Sequence, residues 1–334
     1  MSSVIFFIQH PQMPSSRVRV LNLLPHLKGL EFKVVPYPQK IWERFKVFKS
    51  LRNFDLVFLQ KKMPTVFESL LLRKCSKTLI FDFDDAIYVR HDGKESFTRK
   101  ARFESIVKRS DLVIAGNRIL ADEARKYNQN VAILPSAVKV SNIPLKNYAI
   151  KNERLIIGWI GTAINLPHLK IMESVFKKLS EEFPLELRII SSKSMEMKGI
   201  NTTFIPWRLE TQEDEISKFD IGIMPLPDNP YTRGKCGYKA LQYMACCIPP
   251  VVSDVGVNSE IVRHGVDGFV AKDQEDFYFY LKLFLKDENL RKEMGLNAWK
   301  RAKENYSIEV ISKRLLELLL SFSKRKSQGL LEWP

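Results

Sequence analysis

Lys235 and Lys239 stand four residues apart with Gly237 between them, just after a short apolar run, Ile221–Met224, and its polar loop. A helix is expected to start near Gly237 and run to about Cys246, with Ala240, Leu241, Met244 and Ala245 facing the core. The start of such a helix offers free N–H groups and the positive end of its dipole, and Gly234 and Gly237 would allow close backbone approach. Two ammonium groups beside that helix start are chemistry suited to a diphosphate. Gln242 lies three residues past Lys239 on the same face, where a carboxamide would suit ribose hydroxyls. A solvated, lysine-bearing helix with ordinary turn glycines fits the same residues equally well.

A second group of polar residues falls in the first half of the chain. Asp82, Asp84 and Asp85 close an apolar strand, where Asp84 or Asp85 could act as a polar contact or a base, or merely cap the next helix. His10 ends the first strand, and Arg17 and Arg19 follow Ser15 and Ser16 at a helix start that suits an anionic group. Asn117 follows the strand ending at Ala115 and is a contact residue or a helix cap. Asp82 and Asp84 form an Asp–x–Asp pair that could be misread as a divalent-metal site, although sites of that type belong to a different, single-sheet fold.

The elements that would hold these side chains alternate regularly. Strand-like runs lie at Val4–Ile8, Phe32–Val35, Leu56–Leu59, Leu79–Phe83, Leu112–Ala115 and Val131–Leu134. Helical patterns fall between them, including Arg17–Leu27, Thr65–Arg73 and Arg99–Arg109. The pattern then restarts, with runs at Leu155–Ile160, Leu185–Ile190, Thr203–Ile205, Ile221–Met224, Pro250–Ser253 and Gly268–Ala271. Alternation of this kind predicts parallel sheets covered on both faces, with ligands beyond the carboxyl ends of the strands. The polar stretch Val140–Arg154, with Pro144, reads as the linker. The expected domains are 1–147, a Rossmann-like acceptor domain; 148–305, a second Rossmann-like domain; and 306–334, a helix and tail packing toward the first.

The 334 residues suffice for two such domains, and 45% hydrophobic with 27% charged residues describes a folded protein. Cys75, Cys236, Cys246 and Cys247 have no metal-ligand spacing and read as reduced thiols of a cytoplasmic protein. The apolar start of the chain is too short for a signal peptide, and no window approaches the roughly 20 apolar residues of a membrane span. Residues 1–150 carry 26 Lys and Arg against 13 Asp and Glu, and the remainder 27 against 25, so nearly all of the +15 charge sits in the first half. That half should meet something anionic, either a phosphate-bearing partner or a membrane surface. No zinc-finger or RNP-type signature supports nucleic acid. The stretch Gln39–Arg52 interleaves Ile41, Trp42, Phe45 and Phe48 with Lys40, Arg44, Lys46 and Lys49, the composition of an interfacial helix or of a core-packing one.

Residues 220–270 resemble the donor-binding region of family-four retaining glycosyltransferases, which have the GT-B fold. The match runs through Gln242–Tyr–Met–Ala245, Cys247–Ile–Pro–Pro–Val–Val252, Gly256, Glu260 and Gly265–Val–Asp–Gly268, and Lys239 matches a lysine common in one bacterial branch. Ser15–Ser–Arg–Val–Arg19, Phe81–Asp–Phe–Asp–Asp85, Ser110–Asn117, Leu134–Pro135 and Ile157–Gly–Trp–Ile–Gly161 resemble the same branch, so the likeness covers nearly the whole chain. Of the family's two glutamates eight residues apart, the first falls at Gly234 and the second is Gln242. The resemblance implies retaining transfer from a nucleotide-sugar, without metal or other cofactor, to a glycan or lipid-linked acceptor in cell-surface polysaccharide or glycoconjugate synthesis. A catalytically silent GT-B partner subunit is the alternative. It places Gly161, Thr162, Arg208, Lys235, Gly237, Lys239, Gln242 and Glu260 at the donor, and Arg17, Arg19 and Asn117 at the acceptor. Asp84, Asp85 and His10 become the catalytic candidates. The expected setting is the cytoplasm, at the inner face of the cytoplasmic membrane.

Overall fold

The computed structural model describes residues 2–150 and 152–327. They form two compact units. Of the described residues, the first comprises 2–137, 229–236 and 308–327, and the second comprises 138–150, 152–228 and 237–307.

Unit 1 is a six-stranded sheet of β1 (Ser2–Ile8), β2 (Leu30–Pro36), β3 (Leu56–Gln60), β4 (Thr78–Phe83), β5 (Leu112–Ala115) and β6 (Val131–Ile133), in the order β2-β1-β3-β4-β5-β6. Every pairing is parallel, with Val4 opposite Leu56 and Ile80 opposite Leu112. Successive side chains leave a strand on opposite faces, so the apolar runs serve two cores at once. Ile5, Phe7, Val57, Leu59, Phe81 and Val113 pack beneath Phe48, Leu72, Phe103 and Leu120 of the helices Ile41–Lys49, Val66–Cys75, Phe97–Arg109 and Arg118–Arg125. Val4, Phe6, Phe58, Ile80 and Ile114 face the other way, toward Val20, Leu23 and Leu27 and toward Ile311, Leu315, Leu319 and Phe322 of the last helix, Ile308–Ser327. The 3- and 4-residue spacing of those four apolar residues is the stripe that seats this helix on unit 1.

Unit 2 contains β7 (Leu155–Ile160), β8 (Leu185–Ser191), β9 (Thr202–Pro206), β10 (Ile221–Met224), β11 (Pro250–Ser253) and β12 (Phe269–Ala271), also wholly parallel. Their order, β12-β11-β10-β7-β8-β9, is that of a dinucleotide-binding sheet, with its topological switch between β7 and β10. Gly158 and Gly222 sit at that switch because nothing larger fits. A Cβ on Gly158 would lie 1.9 Å from the Phe219 ring, and one on Gly222 would lie 2.3 Å from Tyr243.

Two expectations change. The stretch Arg17–Leu27 is not one α-helix but a turn at Pro14–Ser16, a π-helical turn at Arg17–Leu21 and a 3₁₀ turn at Leu24–His26. Pro25 lacks the N–H to continue a helix there. The stretch read as a linker at 140–154 is built into unit 2. Buried Lys146 reaches Asp220 at 2.8 Å and donates its backbone N–H to Cys246 O, and the Tyr148 hydroxyl donates to Cys247 O at 2.9 Å. The division therefore falls after Ala137, ten residues before the expected boundary.

Candidate functional site

In unit 2 the helix Tyr238–Ala245 begins at the carboxyl edge of the sheet. Gly237 precedes it with φ +62°, a left-handed conformation that disfavours a side chain, and a Cβ there would lie 2.2 Å from Ile261 Cδ1. Gly237 has no side chain to cap the first turn, and the start of a helix is where backbone N–H groups and the positive dipole end can meet an anion. Tyr243 fastens the helix to both strands of the switch. Its buried hydroxyl accepts from Ile160 N–H at 3.1 Å and donates to Ile223 O at 3.0 Å, and burial pushes the phenol well above its ordinary pKa.

Lys239 is half-buried in the first turn and reaches back over the end of β7. Its Nζ lies 5.2 Å from the Trp159 ring centroid. Gly161 makes the room, since a Cβ there would stand 2.6 Å from Trp159 and 2.7 Å from Lys239 Cε. Gly161, distant in sequence, therefore meets Lys239 and the start of its helix at the switch point. Gln242 is buried on the same helix. Its amide donates to Gln212 Oε1 at 3.4 Å, and the same oxygen accepts from Trp207 Nε1 at 3.1 Å. Gln212 and Trp207 escaped the sequence reading because no spacing links them to residue 242. Thr162, Arg208 and Glu260 are exposed, and the Thr162 hydroxyl accepts from Asn165 Nδ2 at 2.9 Å.

Lys235 lies elsewhere. After Asp228 the chain contributes Asn229–Cys236 to unit 1 before returning at Gly237. Within unit 1, Lys235 Nζ lies 2.9 Å from Asp85 Oδ1 and 3.0 Å from the Tyr231 hydroxyl, and 4.4 Å from the Tyr231 ring centroid. Lys235 is thus paired within unit 1, whereas Lys239 belongs to the helix of unit 2, the chain passing from one unit to the other at Gly237. Asn117 holds the segment in place. Its amide donates to Gly234 O at 3.1 Å and Lys235 O at 3.2 Å, while its Oδ1 accepts from Leu120 N–H as the cap of Arg118–Arg125. Asn117 is therefore a cap and a brace, with its polar atoms turned inward. Gly234 is buried in this packing, and a Cβ would stand 2.7 Å from Ala86 Cβ and 2.9 Å from Ala86 N, so no glutamate fits there.

The carboxylates gather at the carboxyl ends of β3 and β4 around a residue absent from the sequence expectations. Lys61 follows β3 with φ +58°, a strained conformation for a side-chain-bearing residue, and its N–H donates to Asp82 O at 2.6 Å. Its ammonium pairs with Asp85 and also lies 2.9 Å from Asp84 Oδ1. Burial alone would lower the Lys61 pKa, but Asp84 and Asp85 outweigh it and hold it above its usual value. Burial would raise Asp85, yet Lys61 and Lys235 more than offset that and keep it well below the usual carboxylate range. Asp85 is thus a fixed anion between two ammonium groups and a poor proton acceptor, and Asp84 shares the Lys61 ammonium with it. Two carboxylates facing two cations make a polar, near-neutral surface suited to sugar hydroxyls.

Arg19 and Asp82 are corrected outright. Both are almost wholly buried and form a bidentate pair, and the third Arg19 nitrogen donates to Leu134 O at 2.6 Å. Arg19 is turned into the protein and cannot meet an acceptor from solvent, and Asp82 does not share a site with Asp84. Burial pushes the Asp82 carboxyl up, and the guanidinium opposes that shift. His10 is exposed on the loop after β1 and its Nδ1 accepts from Gln12 N–H, while Arg17 donates to Gln12 O. Among the described residues no three His, Cys, Asp or Glu side chains are gathered as metal ligands.

Solved structures share this architecture across the whole chain. Sucrose-phosphate synthase from Thermosynechococcus elongatus matches with a TM-score of 0.77 at 13% identity, over 96% of this chain and 99% of that one. HepE of Anabaena, in complex with UDP and glucose, matches at 0.75 and 13%, over 96% and 100%. The fold is GT-B. A glycosyltransferase from Rickettsia africae gives 0.73 at 12% identity, over 97% of this chain and 99% of that one. Residues 199–301 match the family model for glycosyl transferases group 1, a span that holds Gly237, Lys239 and Gln242 of this GT-B chain. No curated protein matches it. No described helix is long and apolar enough to cross a membrane.

Proposed function

We propose that this chain is a glycosyltransferase of family four that moves a sugar, with retention and without metal, from a nucleotide-diphosphate donor to a glycan or lipid-linked acceptor. The observation that carries the reading is Lys239 lying across the switch point of unit 2, over Trp159 and against Gly161, in the first turn of the helix that starts after Gly237. A diphosphate there would meet backbone N–H groups, a positive dipole end and an ammonium, so charge growing on the leaving group is met by fixed donors. That arrangement supplies the neutralisation a divalent ion would otherwise give. HepE, crystallised with UDP-glucose, supports a nucleotide-sugar as donor. In unit 1, Asp84 is the candidate contact to an acceptor hydroxyl, with Asp85, Lys61 and Lys235 holding its surroundings. A place in cell-surface polysaccharide or glycoconjugate synthesis, at the inner face of the cytoplasmic membrane, suits a lipid-linked acceptor and four free thiols.

One observation favours a second reading, a GT-B subunit that binds nucleotide-sugar without transferring it. Gly234, where the resemblance would place a glutamate near the donor sugar, is closed off by Ala86. The deciding experiment is a melting series with nucleotide diphosphates and nucleotide-sugars in the presence of a chelator, followed by product analysis with the stabilising donor. Stabilisation by one nucleotide family is expected. Absence of any shift in folded protein removes the donor site. A shift with neither transfer to a panel of acceptors nor slow hydrolysis selects the silent subunit, and an inverted product refutes retention.

A further inference from the structure

Three consecutive helices of unit 1 begin with large apolar side chains turned to solvent. Helix Ile41–Lys49 exposes Ile41, Trp42 and Phe45, with Trp42 64% accessible, and helix Val66–Cys75 exposes Val66, Phe67 and Leu70 at the same relative positions, with Phe67 62% accessible. Helix Phe97–Arg109 opens on Phe97, 88% accessible. All three helices pack on one face of the sheet, and their later turns bury Phe48, Leu72 and Phe103 in one core. Their apolar composition is therefore only half explained by packing.

The position of these side chains follows from the topology. Each helix is the next element after a strand, β2, β3 and β4 respectively, the third after the longer loop 84–96, so all three start from the carboxyl edge of the sheet. The same edge carries Lys61 after β3 and Asp84 and Asp85 after β4. The first two helices are joined side by side by the Arg44–Glu68 ion pair. The surroundings are cationic. Residues 37–52, 61–77 and 86–102 hold fifteen Lys and Arg against four Asp and Glu, and Lys40 Nζ lies 5.4 Å from the Trp42 ring centroid. Lys40, Lys46, Lys49, Lys74 and Lys100 are exposed. Exposed aromatic side chains among lysines match an interface between water and anionic lipid, where rings enter the headgroup layer and ammonium groups meet phosphates.

We propose that this edge of unit 1 docks on an anionic lipid bilayer through Trp42, Phe67 and Phe97, with Ile41, Phe45 and Leu70 completing the contact. The surface borders the Asp84 cluster, so docking would bring the headgroup of a lipid-linked acceptor to the carboxylates. This part rests on the transferase reading above, whereas the docking itself does not. None of the three aromatic residues belongs to the binding machinery, and replacing them with serine leaves the charge unchanged.

The test is co-sedimentation of the full chain with vesicles of phosphatidylcholine alone or with about a third phosphatidylglycerol. It compares wild type with Trp42→Ser/Phe67→Ser/Phe97→Ser, with the UDP-induced melting shift measured on both. The expected result is binding to the anionic vesicles, weakened about tenfold or more in the triple variant as the large side chains no longer enter the interface, with the UDP shift unchanged. Equal binding by both proteins would overturn the proposal, as would no binding to either vesicle. A self-association of wild type in sedimentation velocity that the serines abolish, without vesicle binding, would assign the surface to a second copy and also overturn it. Absence of a melting shift with UDP and with every other nucleotide diphosphate in wild type, with vesicle binding intact, would remove the donor reading and leave this one standing.

Discussion

Replacing Lys239 with methionine keeps most of the side chain's bulk against Trp159 and Gly161 and removes its charge. If the ammonium contacts a bound diphosphate, the loss is one hydrogen bond between charged groups, about 1.5–3 kcal/mol. At about 1.4 kcal/mol per tenfold, that raises Kd by about 10- to 150-fold. The native fold should change little, because the lysine is half-buried and its stacking on Trp159 contributes about 1 kcal/mol. The effect can be read by melting. With ligand at about 100 times the wild-type Kd, binding stabilises the wild type by about 2.7 kcal/mol. A variant with a Kd about 30-fold weaker retains about 0.9 kcal/mol at the same concentration. Calorimetric titration with the nucleotide diphosphate that stabilises the wild type, at two salt concentrations, gives Kd directly, and the variant should also lose part of the salt dependence. An affinity within twofold of wild type, in a variant of unchanged melting temperature, would refute the placement of the diphosphate at this helix start.

Three further outcomes follow from unit 1. Asp85→Asn should destabilise it by about 1–3 kcal/mol near neutral pH, between surface and fully buried pairs, because the carboxylate is 18% exposed and leaves Lys235 without its anion. The folded pKa of Asp85 lies below its unfolded value of about 3.9, so its contribution is full above that value and fades as pH falls through the folded pKa. Urea titrations of the two proteins should therefore converge below about pH 4, and a difference that widens in acid would show the sign to be wrong. Arg19→Met should cost about 3–5 kcal/mol by stranding Asp82, and Arg19→Met/Asp82→Leu should recover most of it. If the double variant is less stable than the single, the pair acts by something other than mutual compensation. Burial pushes the Cys236 and Cys246 thiols far above their usual range and Cys247 up to about 11, so a disulfide reagent at pH 8 should modify half-buried Cys75 first. Mass spectrometry showing early labelling of Cys236 would mean that the Asn229–Cys236 segment leaves unit 1.

Much of the architecture was legible without coordinates. The twelve described strands overlap the apolar runs, and the central ones, such as β3 and β4, are apolar almost throughout because they are buried on both faces. The candidate helix from Gly237 was also legible, since a left-handed glycine followed by helical periodicity is a local signal. Local chemistry likewise marked the Asp82–Asp85 and Lys235–Lys239 stretches as unusual. Pairing is where the sequence fell short. Nothing in spacing shows that Arg19 is spent on Asp82, 63 residues away, or that Lys235 is held by Asp85, 150 residues away. Lys61, whose ammonium organises the carboxylates, has no motif at all and is singled out by its backbone angle and its neighbours. Helix and strand periodicities are set within a few residues by backbone geometry and hydrophobicity, so one sequence suffices to read them. Whether a charged side chain meets a ligand or a partner depends on which distant loops share a sheet edge, and only the tertiary structure decides that.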